Sequence, residues 1–458
     1  MSGAGRLFGT DGIRARFGAP PLDSATVARL GLALARQLSR SGGARLLVAR
    51  DTRPSGLDLA AWLRAGLERG GARVEALGVL PTAALARAVV ETGADGGVVL
   101  SASHNPPEDN GVKLVDARGF KWSAADEGRL EERLATTEEV AVPPPAAAAG
   151  ESEAERRANA AARAGYLARL RELCGGISFP PGTRVALDAA HGAAAGLARE
   201  LFSAAGAGVE VLNDEPDGTR INRDGGATRP ETLARRISGG DFSFGFAFDG
   251  DADRAILVDE RGEVRDGDAM LFLWARDLAR RGALVPPAIV ATSMSNLGLE
   301  RALARHGVGV VRCGVGDREV VETLRARGLR LGGEQSGHLV DLALATTGDG
   351  LLSALVVARL LVAGGLPASE SLAEFRRYPP LLRSVRVAAK PRLEELPGIA
   401  AAARRVESTL GGDGRLVLRY SGTEPLARIM LEGPDEDLIA RLAAELAAAI
   451  EREIGVRA

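Results

Sequence analysis

Residues 73–100 read RVEALGVLPTAALARAVVETGADGGVVL. Positions 73–77 have the pattern of a strand, and 81–91 carry a helix with Pro81 in its first turn, where the missing N–H costs no hydrogen bond. Positions 97–100 form a second apolar strand. Strands separated by helices can run in the same direction. The unit therefore predicts a mainly parallel sheet covered by helices, with active loops at the C-terminal ends of its strands.

The same alternation extends on both sides. Upstream, 24–40 shows a helical stripe of Val27, Leu30, Leu34 and Leu38 with Ser24 as its N-cap, followed by a strand at 45–49 and a helix at 57–69. Downstream, 136–153 contains Glu138-Glu139 and a run of prolines and alanines, the composition of a linker. A long helix at 153–173 precedes a second α/β run that starts at 184–188 and closes on strands at 242–248 and 255–258. A third run spans 266–365, with strands at 288–291, 308–311 and 329–331. From about residue 367 the alternation thins. Strands at 381–387, 415–420 and 427–431 accompany helices at 394–410 and 436–453, a smaller α+β pattern. The expected fold is thus α/β, with three tandem blocks and a C-terminal α+β domain, divided at 1–153, 154–255, 256–367 and 368–458.

Bulk properties bound the function. The 458 residues are 46% hydrophobic and 26% charged, the profile of a soluble globular chain. A formal net charge of −2 gives no electrostatic footprint for nucleic acid or an anionic membrane. Cys174 and Cys313 form neither a disulfide framework nor a zinc pattern. They read as buried small hydrophobes in a reducing, cytoplasmic setting. The N-terminus has no apolar signal segment. The apolar run 351–366, broken by Arg359 and Gly364-Gly365, reads as a buried helix rather than a membrane span.

Chemistry concentrates in five segments. In Phe248-Asp249-Gly250-Asp251-Ala252-Asp253-Arg254, three aspartates at alternate positions around a glycine can aim carboxylates at one hard cation. An EF-hand is excluded, since Arg254 stands at its sixth position, where glycine is required. In Ser101-Ala102-Ser103-His104-Asn105-Pro106, a serine at a strand end meets a histidine, and His104 or Lys113 can transfer a proton. Gly332-Gly333-Glu334-Gln335-Ser336-Gly337-His338 offers groups that bond sugar hydroxyls. Arg419-Tyr420-Ser421-Gly422-Thr423-Glu424-Pro425, with Arg428, can wrap a phosphate, although Glu424 opposes an anion. Phe8-Gly9-Thr10-Asp11-Gly12-Ile13-Arg14 has no nucleotide-binding spacing, and by itself Arg14 reads as the partner of a carboxylate.

Taken together and in this order, the five segments resemble the α-D-phosphohexomutase family over essentially the whole chain. The resemblance implies four domains around a central cleft, the first three related α/β domains with mixed sheets. It implies that Ser103 is the phosphoserine and that Asp249, Asp251 and Asp253 hold one Mg²⁺ with it. Arg14, His104 and Lys113 would surround the transferring group, and Arg254 would support the metal loop beside the substrate. Glu334, Ser336 and His338 would meet the sugar, as would Asp317 and Arg318. Arg419, Ser421, Gly422, Thr423 and Arg428 would hold the non-reacting phosphate. Gln335 and Gly316-Asp317-Arg318 resemble the glucosamine-phosphate branch, while Glu319 and Ala15 depart from the family pattern. The implied reaction interconverts glucosamine 6- and 1-phosphates through a hexose 1,6-bisphosphate, feeding UDP-N-acetylglucosamine and cell-wall synthesis. The expected partners are the small hexosamine phosphate and a second copy of the chain, with no nucleic acid or membrane. Mannose or glucose phosphates are the alternative substrates. A serine-phosphoenzyme phosphatase and a phosphosugar- or Ca²⁺-binding protein are the rivals from other classes.

Overall fold

A computed structural model of the chain describes residues 7–39, 42–144, 150–421 and 424–456. Two compact units emerge: Met1–Met294 with His306–Ala373, and Ser295–Arg305 with Glu374–Ala458.

The larger unit contains three sheets built on one plan. In the first, the spatial order is Ile13–Arg16, Asp109–Asp116, Gly96–Leu100, Arg45–Arg50, Arg73–Val79. The last three are parallel, and Asp109–Asp116 is antiparallel to both of its neighbours. The second sheet repeats this as Val264–Arg265, Ala255–Asp259, Phe244–Phe248, Arg184–Asp188, Gly208–Leu212, with the same parallel and antiparallel pairings. The third keeps four strands in the corresponding order: Leu339–Asp341, Leu331–Gly333, Ala288–Thr292, Gly309–Cys313. Shared strand order and pairing make the three blocks related and their sheets mixed, as the family resemblance implies.

Several local expectations are corrected. The first helix is Ser24–Gln37, and its N-cap is Asp23, whose carboxylate accepts from the Thr26 N–H; Ser24 already lies inside the helix. The division expected at 255/256 cuts a hairpin, because Phe248 pairs with Ala255 and the second sheet runs on to Arg265. The edge strands Ile13–Arg16 and Val264–Arg265 are too short to carry periodicity. Cys174 is buried but Cys313 is only half-buried; both are free, and burial pushes their thiols up to about 12 and about 11.

Burial follows patterning. Helices Ser24–Gln37 and Gly56–Arg69 press Leu30, Leu34, Leu59, Leu63 and Leu67 against Leu46, Val98 and Leu114 of the first sheet. The apolar run expected as a buried helix is Gly350–Gly364, whose Leu351, Leu355 and Val357 are buried. Among the described residues no helix is long and apolar enough to cross a membrane. In the smaller unit, strands Pro380–Arg386, Leu426–Glu432 and Arg415–Tyr420 form an antiparallel sheet in that order. Helices Pro397–Leu410 and Glu436–Ile454 bury Ile399, Val406, Leu442, Leu446 and Ile450 with it.

Candidate active site

Three loops of the larger unit occupy the same place in their respective sheets, each joining the third strand in chain order of the parallel set to its antiparallel neighbour. They are 101–108, 249–254 and 334–338. These loops hold the serine, the aspartates and the sugar-type motif.

Ser103 is fully buried, with a left-handed backbone (φ 51°) that a non-glycine residue holds only when its surroundings enforce it. The enforcing contacts are plain. The Ser103 N–H donates to Ser101 Oγ (2.8 Å), and Ser101 Oγ in turn donates to Asp51 (2.6 Å). The Ser103 carbonyl accepts from Arg53 (3.0 Å) and from Asn222 (2.8 Å). Arg53 is itself fully buried, pairs with Asp51 at 2.9 Å, and also donates to the carbonyls of Asn105, Pro106 and Asp109. One guanidinium thus draws the whole turn into shape.

The Ser103 hydroxyl donates to Asp249 Oδ2 at 2.5 Å. Gly250 makes this approach feasible, since a Cβ there would stand 2.6 Å from the Ser103 carbonyl oxygen. Asp249, Asp251 and Asp253 are buried and bring one carboxylate oxygen each within 4.8 Å of one another. Oδ1 of Asp251 and Oδ1 of Asp253 have no hydrogen-bond partner. Buried carboxylate oxygens without donors, converging beside a serine oxygen, fit a hard divalent cation. Burial first, then Asp253 and Asp251, hold the Asp249 carboxyl well above its ordinary value. A bound cation would reverse that balance.

Cations close the remaining side. Lys113 Nζ reaches Asp251 at 2.8 Å and Asp253 and Asp11 at 3.1 Å. Burial alone would lower its pKa, but the three carboxylates raise it well above the usual value, so Lys113 stays charged. Arg14 pairs with Asp11, as its local reading suggests, and donates to Asn105 Oδ1 at 3.0 Å. His104 Nδ1 is 3.4 Å from Ser103 Oγ. Burial, then Arg254 and Arg14, depress its pKa to about 4, leaving it neutral at pH 7. Arg254 approaches Asp253 at 3.8 Å.

The third loop is fastened to the second. Gly337 (φ 90°) lies so close to the Ala255 carbonyl that a Cβ would meet it at 2.2 Å, and its own carbonyl accepts from the Ala255 N–H at 3.1 Å. Glu334 Oε1 accepts from the Gly316 N–H at 3.1 Å. Ser336 Oγ and both ring nitrogens of the buried His338 lack protein partners. Asp317 and Arg318 turn toward the first block: Asp317 pairs with Lys121 at 2.9 Å and Arg318 with Glu127 at 2.5 Å.

In the smaller unit, Arg419 and Arg428 stand directly opposite on adjacent strands. Like charges at such a pair repel unless an anion lies between them. Arg428 also pairs with Glu424 at 2.7 Å, the acid that opposes an anion here. The Ser421 carbonyl accepts from Lys390 at 2.7 Å. Gly422 and Thr423 lie outside the described residues.

Family models for the four domains of phosphoglucomutase/phosphomannomutase match residues 5–141 (domain I), 165–262 (domain II), 266–378 (domain III) and 382–449 (C-terminal domain). The chain belongs to the phosphoglucomutase/phosphomannomutase family. Among its relatives in that family is a phosphoglucosamine mutase of Anaeromyxobacter dehalogenans, 43% identical and covering 99% of this chain and 100% of its own. Another, of Koribacter versatilis, is 41% identical over 98% of both chains. The crystal structure of a phosphoglucomutase/phosphomannomutase family protein from Burkholderia thailandensis has the same fold, with a TM-score of 0.77 at 24% identity over 98% of this chain and 99% of that one.

Asp11, Asp51, Arg53, Thr82, Lys121, Glu127 and Asn222 were not singled out by sequence reasoning. Asp51 and Arg53 follow a strand end, which is a usable signal. Thr82, whose hydroxyl donates to Asp251 at 2.6 Å, and Asn222 carry none, because their partners are 169 and 119 residues away.

Proposed function

We propose that this chain is a mutase that interconverts glucosamine 6-phosphate and glucosamine 1-phosphate through a phosphorylated Ser103. The observation that carries the chemistry is the Ser103 hydroxyl seated at 2.5 Å on the aspartate cluster. The substrate choice rests on relatives of 41–43% identity that bear the phosphoglucosamine mutase name.

A sugar hydroxyl attacks the phosphorus of phospho-Ser103. The new P–O bond forms as the P–Oγ bond breaks; the hydroxyl proton passes to a base, and Ser103 Oγ keeps the electron pair of the broken bond and takes up a proton. The glucosamine 1,6-bisphosphate so formed turns over, and its other phosphate returns to Ser103 Oγ. Asp249, Asp251, Asp253 and the phosphoserine would hold a Mg²⁺ ion, which when bound neutralises charge on the phosphoryl oxygens. Lys113 and Arg14, both cationic, stabilise the charge spread over those oxygens in transfer. Lys113 and His104 both flank the reacting oxygens as acid/base or electrostatic partners, His104 Nδ1 lying 3.4 Å from Oγ. Glu334, Ser336 and His338 orient the sugar, with Arg254, Asp317 and Arg318 around it. Arg419, Ser421, Gly422, Thr423 and Arg428 grip the second phosphate. The partners are hexosamine phosphates and a second copy of the chain, without nucleic acid or membrane, and the setting is cytoplasmic.

Steady-state kinetics on one preparation test the reading. The expected result is a higher kcat/KM for glucosamine 6-phosphate than for mannose 6-phosphate, isomer formation exceeding phosphate release, and near-complete loss of turnover in Ser103→Ala with binding retained. A preference for mannose, or phosphate release in excess of isomer, overturns it.

A further inference from the structure

Lys121 carries none of the five motifs. It lies just beyond the turn that follows strand Asp109–Asp116, yet its ammonium is the meeting point of two blocks. Nζ donates to Asp11, to both oxygens of Asp317 (2.9 and 3.1 Å), and to the Thr10 carbonyl (3.3 Å). The other oxygen of Asp11 holds Arg14 and Lys113, and Lys113 continues to Asp251 and Asp253. An alternating chain of charge therefore runs from the aspartate cluster to the N-terminus of helix Asp317–Arg327. The side chains of Asp11, Lys121 and Asp317 are all less than a fifth exposed, so water screens these contacts weakly.

The far end of this chain is the loop 314–318, whose Gly316 N–H occupies one oxygen of Glu334. Arg318, bound to the buried Glu127, is a second tie between the same two blocks. Without Lys121, Asp11 and Asp317 would face each other as buried carboxylates lacking their shared cation, and the loop would swing away. We propose that Lys121 is a positioning residue that holds loop 314–318 against the phosphoryl-transfer side, so that Glu334 is set to receive the sugar. The inference rests on the mutase reading for its substrate and adds a residue to it.

Lys121→Met, Lys121→Arg, Asp317→Asn and the double variant Lys121→Met/Asp317→Asn test this in the full-length enzyme. In Lys121→Met the KM for glucosamine 6-phosphate rises about tenfold or more while kcat stays within about threefold, since ground-state positioning is what is lost. Amide hydrogen exchange speeds up in peptides covering 314–318 and not in those covering 101–108. Adding Asp317→Asn recovers part of the exchange protection of 314–318 by removing the unpaired carboxylate, and Lys121→Arg retains that protection. A folded Lys121→Met with unchanged KM and unchanged exchange overturns the proposal, as does a fall in kcat at constant KM. Should Lys121→Met not fold, Asp317→Asn carries the test: unchanged exchange in 314–318 refutes the tie. A wild-type enzyme that does not turn over glucosamine 6-phosphate refutes the substrate reading alone, because the exchange measurement still decides the role of Lys121.

Discussion

Asp349 is buried where helix Gly350–Gly364 begins, and it caps that helix by accepting the Leu352 N–H at 2.9 Å. The same oxygen accepts the Tyr166 hydroxyl at 2.7 Å. These bonds favour the carboxylate, but burial outweighs them and lifts its pKa from 3.8 to about 6. Between those values the folded chain keeps a proton that the unfolded chain has released. The stabilising contribution is therefore complete below 3.8 and is lost as pH rises through about 6. Asn keeps the cap and the acceptor but does not titrate. The stability of Asp349→Asn relative to the parent should shift in the variant's favour by an amount on the order of 3 kcal/mol between pH 4 and pH 7, read from denaturant unfolding. A difference that stays flat over that range would contradict it. Ser103 shows the same logic without titration: its left-handed backbone is a local cost that its neighbours' hydrogen bonds offset.

At the scale of elements, equivalent hairpin loops in three sheets carry three different motifs. A loop at a sheet end is solvent-facing in an isolated block, yet here Ser103, the three aspartates and His338 are buried. The Ser103 loop depends most on Arg53, whose five donors serve Asp51 and four loop carbonyls. Arg53→Met should destabilise the protein by about 3–5 kcal/mol, because Asp51 becomes a buried, unpaired charge. Combining it with Asp51→Asn should restore part of the loss in a chemical-denaturation double-mutant cycle. Additive losses would mean that the two side chains are not energetically coupled. The loop was visible in the sequence as a polar, proline-containing turn after an apolar strand. Its clamp was half-visible, since Asp51-Thr52-Arg53 also follows a strand, but a guanidinium turned inward cannot be told from one in solvent by its neighbours in the chain.

For the whole molecule, the aspartate cluster is a repulsion that folding has to assemble, with two carboxylate oxygens left without donors. A divalent cation that binds only the folded state should raise its stability by about 2.7 kcal/mol at a free concentration one hundred times its dissociation constant. Thermal unfolding of the Ser103→Ala variant with Mg²⁺ against EDTA checks this without recourse to activity. A Tm indifferent to both would argue that the cluster holds no metal. Asp249→Asn/Asp251→Asn should abolish the response.

The tandem α/β plan was determined by the sequence itself, because periodicity and turn chemistry are local properties of the chain. Short edge strands such as Ile13–Arg16 escaped it, since four residues establish no period. Only the tertiary structure decided that Thr82 and Asn222 brace the loops, that Lys113 is caged by three carboxylates, and that Asp317 and Arg318 engage Lys121 and Glu127. Each of those facts is a pairing between charges or donors distant in sequence, and the energy that selects it exists only once packing has excluded water between them.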